Sequence, residues 1–425
     1  MKTADQNIYS FVPELCIEDF SILVDQNDRN PKKGIFWRIL SLFNQLLHEI
    51  NKSLLIRRAA FPPNAIVFFG QHYNEYVPYL NLFKGLGDSR SDRFFIIGNR
   101  RYRNDFPYIK IYLHALTYIP KAIRMYYKEE ELFKKNSFFY AFDQICLVLA
   151  CQNVVPKYLK EVKPSKIVIS NHNSVFHLVL ASVAQEAGIE TAYIQHAIFP
   201  RGKFNFPQTL NQIFLDGEYS KNRLPTELNK TRNIYLFGSL FQWDANKTVS
   251  RVDQDQVAIC TNLADDVTSV ITLISSLKTL LPKYNVIIRP HPSDKREHIW
   301  NQISEEFDVK LSQSSESIYT LLGCVSFIIV GESNVHLVAL NAGVPSYYYN
   351  FNSVQFFDWY GFIKNGLVID ITDLNKFVRS GLYKSSHVDV SKLLMYNIGY
   401  GPNRFPIVCN SIATVLLEGN ISYKH

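Results

Sequence analysis

The sequence predicts an α/β fold of two doubly wound, parallel-sheet domains facing a cleft. Short apolar runs such as NAIVFFG (64–70) and SFIIVGE (326–332) lack the alternation of a half-exposed strand. They read instead as strands buried on both faces of a parallel sheet. These runs alternate with helix-period stretches on both sides of position 235, the rhythm of repeated strand–helix–strand crossovers. Polar residues gather just after the strands, where open α/β sheets bind their ligands. The 425 residues suffice for two such units, and 47% hydrophobic against 20% charged residues supplies their cores.

The first sixty residues read as helical. Within them KKGIFWRILSLFNQLLHEINKSLLIRR (32–58) sets Ile35, Ile39, Leu42, Phe43, Leu46 and Ile50 at helical spacing, with cations at both ends. It fits a basic amphipathic helix on a membrane surface, or a helix packed on its own domain. NAIVFFG, RFFIIGN (93–99) and YIKIYLH (108–114) read as strands, followed by a helix-rich stretch to about 160. PSKIVISNHN (164–173) is a strand, SVFHLVLASVAQEAGI (174–189) a helix, and ETAYIQHA (190–197) and NQIFLDGEYS (211–220) are strands. NIYLFGS (233–239) opens the second half, and VAICTNL (257–263) follows it. A helix over 265–281 precedes YNVIIRPHP, and a further helix begins near Asp294. Strand DVKLSQ (308–313), helix SIYTLLGC (317–324), strand SFIIVGE and helix SNVHLVALNAG (333–343) come next, and VPSYYYN (344–350) closes the series. The expected division is 1–235 with its helical N-terminal segment, 236–395, and a terminal segment 396–425 packing back on the first domain.

Lys and Arg exceed Asp and Glu by 7, a mild basic excess that suits anionic ligands. No compact nucleic-acid-binding motif or long basic tract appears, so nucleic acid is not an expected partner. The six cysteines form no CxxC and no metal-like cluster, which reads as reduced buried thiols. MKTADQNIYSF lacks the apolar run of a secretion signal, and no stretch of about 18 apolar residues appears. The expected location is cytoplasmic, peripheral on the inner face of the cytoplasmic membrane. The cluster GNRRYRND (98–105), with Arg100, Arg101 and Arg103, fits either an anionic acceptor or a solvated loop.

The residues after each strand make the candidate site. They are Gln71 and His72; Asn171, His172 and Asn173; Gln195 and His196; Asp216, Gly217 and Glu218; His291 and Pro292; and Glu332, Ser333 and Asn334. Thr261 and Asn262 hold the same position after VAIC. Six polar tips on one edge need partners, and a polar ligand supplies them. In VIIRPHPSD, Pro290 and Pro292 fix the backbone, so His291 beside Arg289 is held ready to donate to a phosphate oxygen. In GESNVHL, Ser333 and Asn334 suit the start of a helix whose free N–H groups attract anions. Glu332 suits sugar hydroxyls better than phosphate. Asp216, and after it Glu218, could act as base towards an acceptor hydroxyl or as a nucleophile. There is no GxxxxGK[ST], and no GxGxxG follows a strand.

The order YIQHA, FLDGE, IIRPHP, GESNVHLVALNAGVPSYYY resembles the bacterial surface-polysaccharide glycosyltransferases of GT-B fold with an HP motif. These are the sialyltransferases, polysialyltransferases and β-Kdo transferases that use CMP-activated acidic sugars in capsule and lipopolysaccharide assembly. The resemblance covers about residues 165–350 and implies a GT-B-like pair of Rossmann-like domains, the first on the acceptor side, the second binding the nucleotide sugar. It implies that His291 and Pro292 contact the donor phosphate together with Ser333 and Asn334, and that the acidic motif supplies a base. Here that motif reads Asp-Gly-Glu rather than acid-acid-Gly, which leaves base versus nucleophile open. Gln195-His196 resembles a Gln-His-Gly element of related capsule and teichoic-acid enzymes, with Ala197 in place of the glycine. The partners implied are a CMP-activated sugar donor and a glycan or glycolipid acceptor, with no metal and no cofactor; peripheral membrane contact is expected separately, from residues 32–58 and 98–105. Two alternatives remain: a CDP-polyol phosphotransferase of teichoic-acid type, and a non-catalytic nucleotide-sugar-binding assembly subunit.

Overall fold

A computed structural model describes residues 34–418 apart from 54–60, 63, 87–90, 99–105, 130–131, 201–205, 208, 241–254, 314–315, 352–357, 385–388 and 402–403. The described chain begins with helix α1 (Ile35–Ser53). Strand β1 (Ile66–Phe69), helix α2 (Tyr73–Leu86) and strand β2 (Phe94–Ile97) follow. Three helices come next: α3 (Tyr108–Thr117), α4 (Ile119–Lys128) and α5 (Leu132–Val162). Strand β3 (Lys166–Ile169), helix α6 (Val175–Glu186) and strands β4 (Glu190–Ile194), β5 (Gln212–Leu215) and β6 (Asn233–Leu236) complete a six-stranded sheet, order β2-β1-β3-β4-β5-β6.

The second sheet starts at β7 (Gln256–Cys260) and continues through α7 (Val267–Leu280), β8 (Asn285–Arg289), α8 (Glu297–Glu306) and β9 (Lys310–Leu311). Strand β10 (Phe327–Val330), helix α9 (Val335–Asn341) and strands β11 (Ser346–Tyr348) and β12 (Ile369–Asp370) finish it, in order β12-β11-β10-β7-β8-β9. Every pairing in both sheets is parallel. The predicted pair of doubly wound domains is therefore what forms. Strands are continuous apolar runs because helices cover both faces: Val67 and Ile97 belong to one core, while Ile66 and Phe68 belong to another on the opposite face.

Three strand assignments differ from the sequence reading. Residues 108–114 are helical, because Tyr108, Ile111, Tyr112 and Ala115 repeat at three- and four-residue spacing and bury together. NIYLFGS contributes the outer strand of the first sheet rather than the first strand of the second, β6 pairing with β5 through Leu215 and Leu236. VPSYYYN does not close the series, since β12 adds to β11; two exposed residues carry no buried pattern to announce it.

After helix α10 (Val390–Tyr396) the chain returns to the first domain, where α11 (Arg404–Glu418) packs on α2. The return passes close to the end of β6. Gly238 has φ +97°, and a Cβ there would lie 2.3 Å from the Gly399 nitrogen. The Asn397 Oδ1 accepts from Ser239 N–H at 2.9 Å and Gly399 N–H at 3.0 Å, and Ile398 N–H donates to the Asp216 carbonyl at 2.9 Å. Replacing Gly238 with Ala is expected to cost about 1–3 kcal/mol of stability, because it adds both left-handed strain and a backbone clash. A lowered urea midpoint at unchanged m-value checks this.

Candidate functional site

Parallel register brings the strand tips of each sheet to one edge. In the first sheet Phe69 is level with Ile97 and Ile169, and Ile169 with Tyr193. In the second, Cys260 is level with Arg289 and Val330, and Val330 with Tyr348. Residues that follow these tips in both sheets share a cavity of about 530 Å³. His196 and Asp216 reach it from the first domain, and Thr261, Asn262, His291, Pro292, Glu332, Ser333 and Asn334 from the second. The returning chain adds Asn397, Gly399, Tyr400 and Gly401.

On the second-domain side the backbone is braced by charge. The Asp294 carboxylate takes Arg296 Nε at 2.9 Å, Arg296 Nη2 at 2.7 Å and Trp300 Nε1 at 3.1 Å. Arg296 also donates to the Asp265 and Asn262 carbonyls, at 2.9 and 3.1 Å. This one side chain thus ties the loop after β7 to the loop after β8, which holds His291. His291 Nδ1 lies 3.1 Å from the Ser293 N–H. That backbone donor requires a lone pair on Nδ1, so the neutral ring carries its proton on Nε2 and can donate from there. Partial burial lowers the His291 pKa, opposed by Asp294.

His196 has the opposite arrangement. Its Nδ1 contacts the Ser170 carbonyl, an acceptor only, so Nδ1 bears the proton and Nε2 keeps the lone pair. Burial lowers its pKa, against the pull of Glu75, and the neutral ring persists at neutral pH. Asp216 is 8% exposed, and burial pushes its pKa up to about 8, with a Ser239 hydrogen bond pulling back. At neutral pH it is therefore a proton-bearing acid, not the ionised carboxylate expected of a resting base or nucleophile. Glu332 is likewise raised to about 7 by burial, while the Tyr348 hydroxyl donates to its Oε1 at 2.8 Å.

Two buried polar atoms at the cavity, Thr261 Oγ1 and Asn334 Oδ1, have no hydrogen-bond partner among the described residues. Such atoms are costly unless something occupies the space beside them. Ser333 Oγ accepts the Val335 N–H at 3.3 Å, and Asn262 Nδ2 donates to the Glu332 carbonyl at 2.8 Å.

Other expected residues are used differently. Arg289 is 7% exposed, and its guanidinium is spent on Ser312 Oγ at 2.7 Å, the Gln313 carbonyl at 3.0 Å and the Glu316 carbonyl. It braces the segment after β9 instead of standing ready for a phosphate. Gln195 is 2% exposed; it donates to Ser220 Oγ at 2.8 Å and accepts from Asp216 N–H at 3.0 Å, so it shapes the turn that presents Asp216. Glu218 pairs with Lys221 at the surface, 3.3 Å away, and does not line the cavity. Gln71, His72, Asn171 and Asn173 also lie outside the cavity lining. Gln71 and His72 donate backbone N–H groups to Glu75 at 2.6 and 3.1 Å, and Asn171 Nδ2 donates to it at 2.6 Å. Asn173 Nδ2 lies 3.2 Å from His172 Nε2. Glu75, a buried carboxylate facing His177 at 3.5 Å, is thus the hub of that edge. The sequence hides it, since it sits in the first turn of α2, beyond the strand end. Arg100 and Arg101 lie outside the described residues. Among the described residues no cluster of His, Cys, Asp or Glu could hold a metal ion.

No protein-family model and no curated protein sequence matches the chain. Solved structures do. UDP-GlcNAc 2-epimerase from Neisseria meningitidis bound to UDP-GlcNAc is 12% identical, TM-score 0.51, covering 83% of this chain and 99% of its own. The UDP-GlcNAc 2-epimerase of Methanocaldococcus jannaschii is 15% identical, TM-score 0.51, covering 84% and 99%. A glycotransferase of kitacinnamycin is 10% identical, TM-score 0.52, again covering 84% and 99%. At these identities the likeness is one of fold, and that fold is GT-B-like.

The two ring environments give a direct spectroscopic expectation. Long-range proton–nitrogen spectra at neutral pH should show His291 with its proton on Nε2 and His196 with its proton on Nδ1. Matching tautomers for the two rings would contradict the hydrogen bonds assigned to them.

Proposed function

We propose that the chain is a metal-independent glycosyltransferase that moves an acidic sugar from a CMP-activated donor onto a bacterial surface glycan. The observation that carries this reading is the convergence of His291, Thr261, Ser333 and Asn334 on the cavity that also holds His196 and Asp216. The donor side offers neutral hydrogen-bond donors, and among the described residues the one Lys or Arg of the lining, Arg289, is already engaged. Few positive charges suit a donor with a single phosphate better than a diphosphate. The HP-motif resemblance supports the same choice.

In this reading the acceptor hydroxyl oxygen attacks the anomeric carbon while its proton passes to His196 Nε2. The bond from that carbon to the phosphate oxygen breaks, and the phosphate leaves with the electron pair. His291 Nε2–H meets the negative charge that develops there. Asp216, holding its proton, donates a hydrogen bond to a substrate oxygen. Glu332, raised by burial, receives the hydroxyls of the nucleoside sugar.

The epimerase likeness across most of both chains supports a second reading, chemistry on a UDP-linked sugar without an acceptor. Incubation with CMP-, CDP- and UDP-linked donors separates the possibilities: transfer releases nucleotide only when acceptor is present, and epimerisation changes the sugar without acceptor.

His291→Ala should weaken CMP binding in calorimetry by roughly 10- to 150-fold, the value of a hydrogen bond to a charged group. Unchanged binding would remove the basis of the assignment. Transfer should fall as pH rises through about 8, because Asp216 acts in its protonated form and loses that proton there. Asp216→Asn keeps a donor that does not titrate and should lose this alkaline limb; a rate that instead rises through that pH would make Asp216 the base.

A further inference from the structure

Helix α1 is apolar on two sides. Ile35, Ile39, Leu42 and Leu46 turn towards the first domain, with Leu42 and Leu46 buried in its core, and the helix packs on α3 and α5. The next stripe around the helix, Phe36, Leu40, Phe43, Leu47 and Ile50, repeats at four- and three-residue spacing and is exposed, up to 70% at Phe36. Trp37 is exposed beside it, its ring edge-on to Phe36 at 5.7 Å between centroids. Five apolar side chains in one exposed row exceed the scattered apolar exposure of ordinary surfaces.

The exposed charges of the neighbouring helices α3 and α4 are positive, with half-buried Glu129 just beyond α4. Helices α1, α3 and α4 contain a single acidic residue, Glu49, which is 1% exposed. Lys110, Lys121, Arg124 and Lys128 are exposed on α3 and α4, as are Leu113 and Tyr127. All three helices belong to the layer covering one face of the first sheet. No helix among the described residues is long and apolar enough to cross a membrane.

We propose that this face docks on an anionic phospholipid bilayer, α1 lying in the interface with its outer row among the acyl chains and the α3–α4 cations on the headgroups. The chemistry matches on both counts, apolar and aromatic insertion plus electrostatic attraction. A second copy of this chain fits less well. A two-fold contact would set the exposed cations of α3 and α4 against their own copies, and the outer row is shorter than the ~3–4 heptads that sustain a coiled coil. The inference stands independently of the donor chemistry, since bilayer binding requires no nucleotide.

Flotation of the full chain with vesicles tests it. Phosphatidylcholine vesicles carrying ~30 mol% phosphatidylglycerol should capture the protein at least about tenfold better than phosphatidylcholine alone. Salt at about 0.5 M should weaken capture by screening. Two variants should each lower capture at least about tenfold with unchanged circular dichroism: Leu40→Gln/Phe43→Gln/Leu47→Gln, and Arg124→Glu/Lys128→Glu, all at exposed positions. Absence of capture by anionic vesicles, or capture indifferent to both variants, overturns the proposal. So does a wild-type dimer in sedimentation that the triple variant disperses, which would assign the row to a second copy.

Discussion

The close backbone approach of Gly238 to Gly399 is the constraint on which the cavity depends. Neither sheet alone encloses it. The chain leaves the first domain after β6, builds the second, then returns so tightly that no side chain fits between the two strands of traffic. Asn397 uses that proximity, binding the outgoing chain at Ser239 and the helix end at Asn341 with one amide. Gly217 is pressed on the same segment, with a Cβ there falling 2.5 Å from the Met395 carbonyl oxygen. The junction therefore fixes Asp216 relative to the second domain, because its own carbonyl accepts from Ile398.

Around this junction polar groups divide into two kinds. Glu75, Gln195, Arg289, Asp294 and Arg296 are saturated by neighbours, and each ties loops that strand order alone would leave independent. Thr261, Asn334, His196, His291 and Asp216 keep capacity at the cavity. The first kind costs little once buried, since every bond is made within the protein. The second kind is tolerable only beside a polar occupant. Burial then separates the proton chemistry: it keeps two imidazoles neutral and one carboxyl protonated, which a surface site would not do.

The two sheets, nearly all their strands and the identity of the edge that bears the site were legible in the chain, because a strand buried on both faces must be apolar throughout and must stop where polar residues begin. That rule located His291, Ser333, Asn334 and Asp216 without coordinates. It failed at 108–114, where a short apolar stretch satisfied two periods and only packing chose between them.

What the sequence by itself could not determine is the use of each polar side chain. Arg289 reads as a free cation at a strand end, yet tertiary structure turns it towards Ser312 and Glu316, some two dozen residues away. Glu218 reads as the second acid after Asp216, and a helical turn sends it to solvent. The protonation of Asp216 and the tautomers of His196 and His291 are equally a matter of burial and of distant carbonyl and N–H groups. Local sequence sets backbone periodicity, which is a short-range property; electrostatics and hydrogen-bond supply are set by whatever the fold brings alongside.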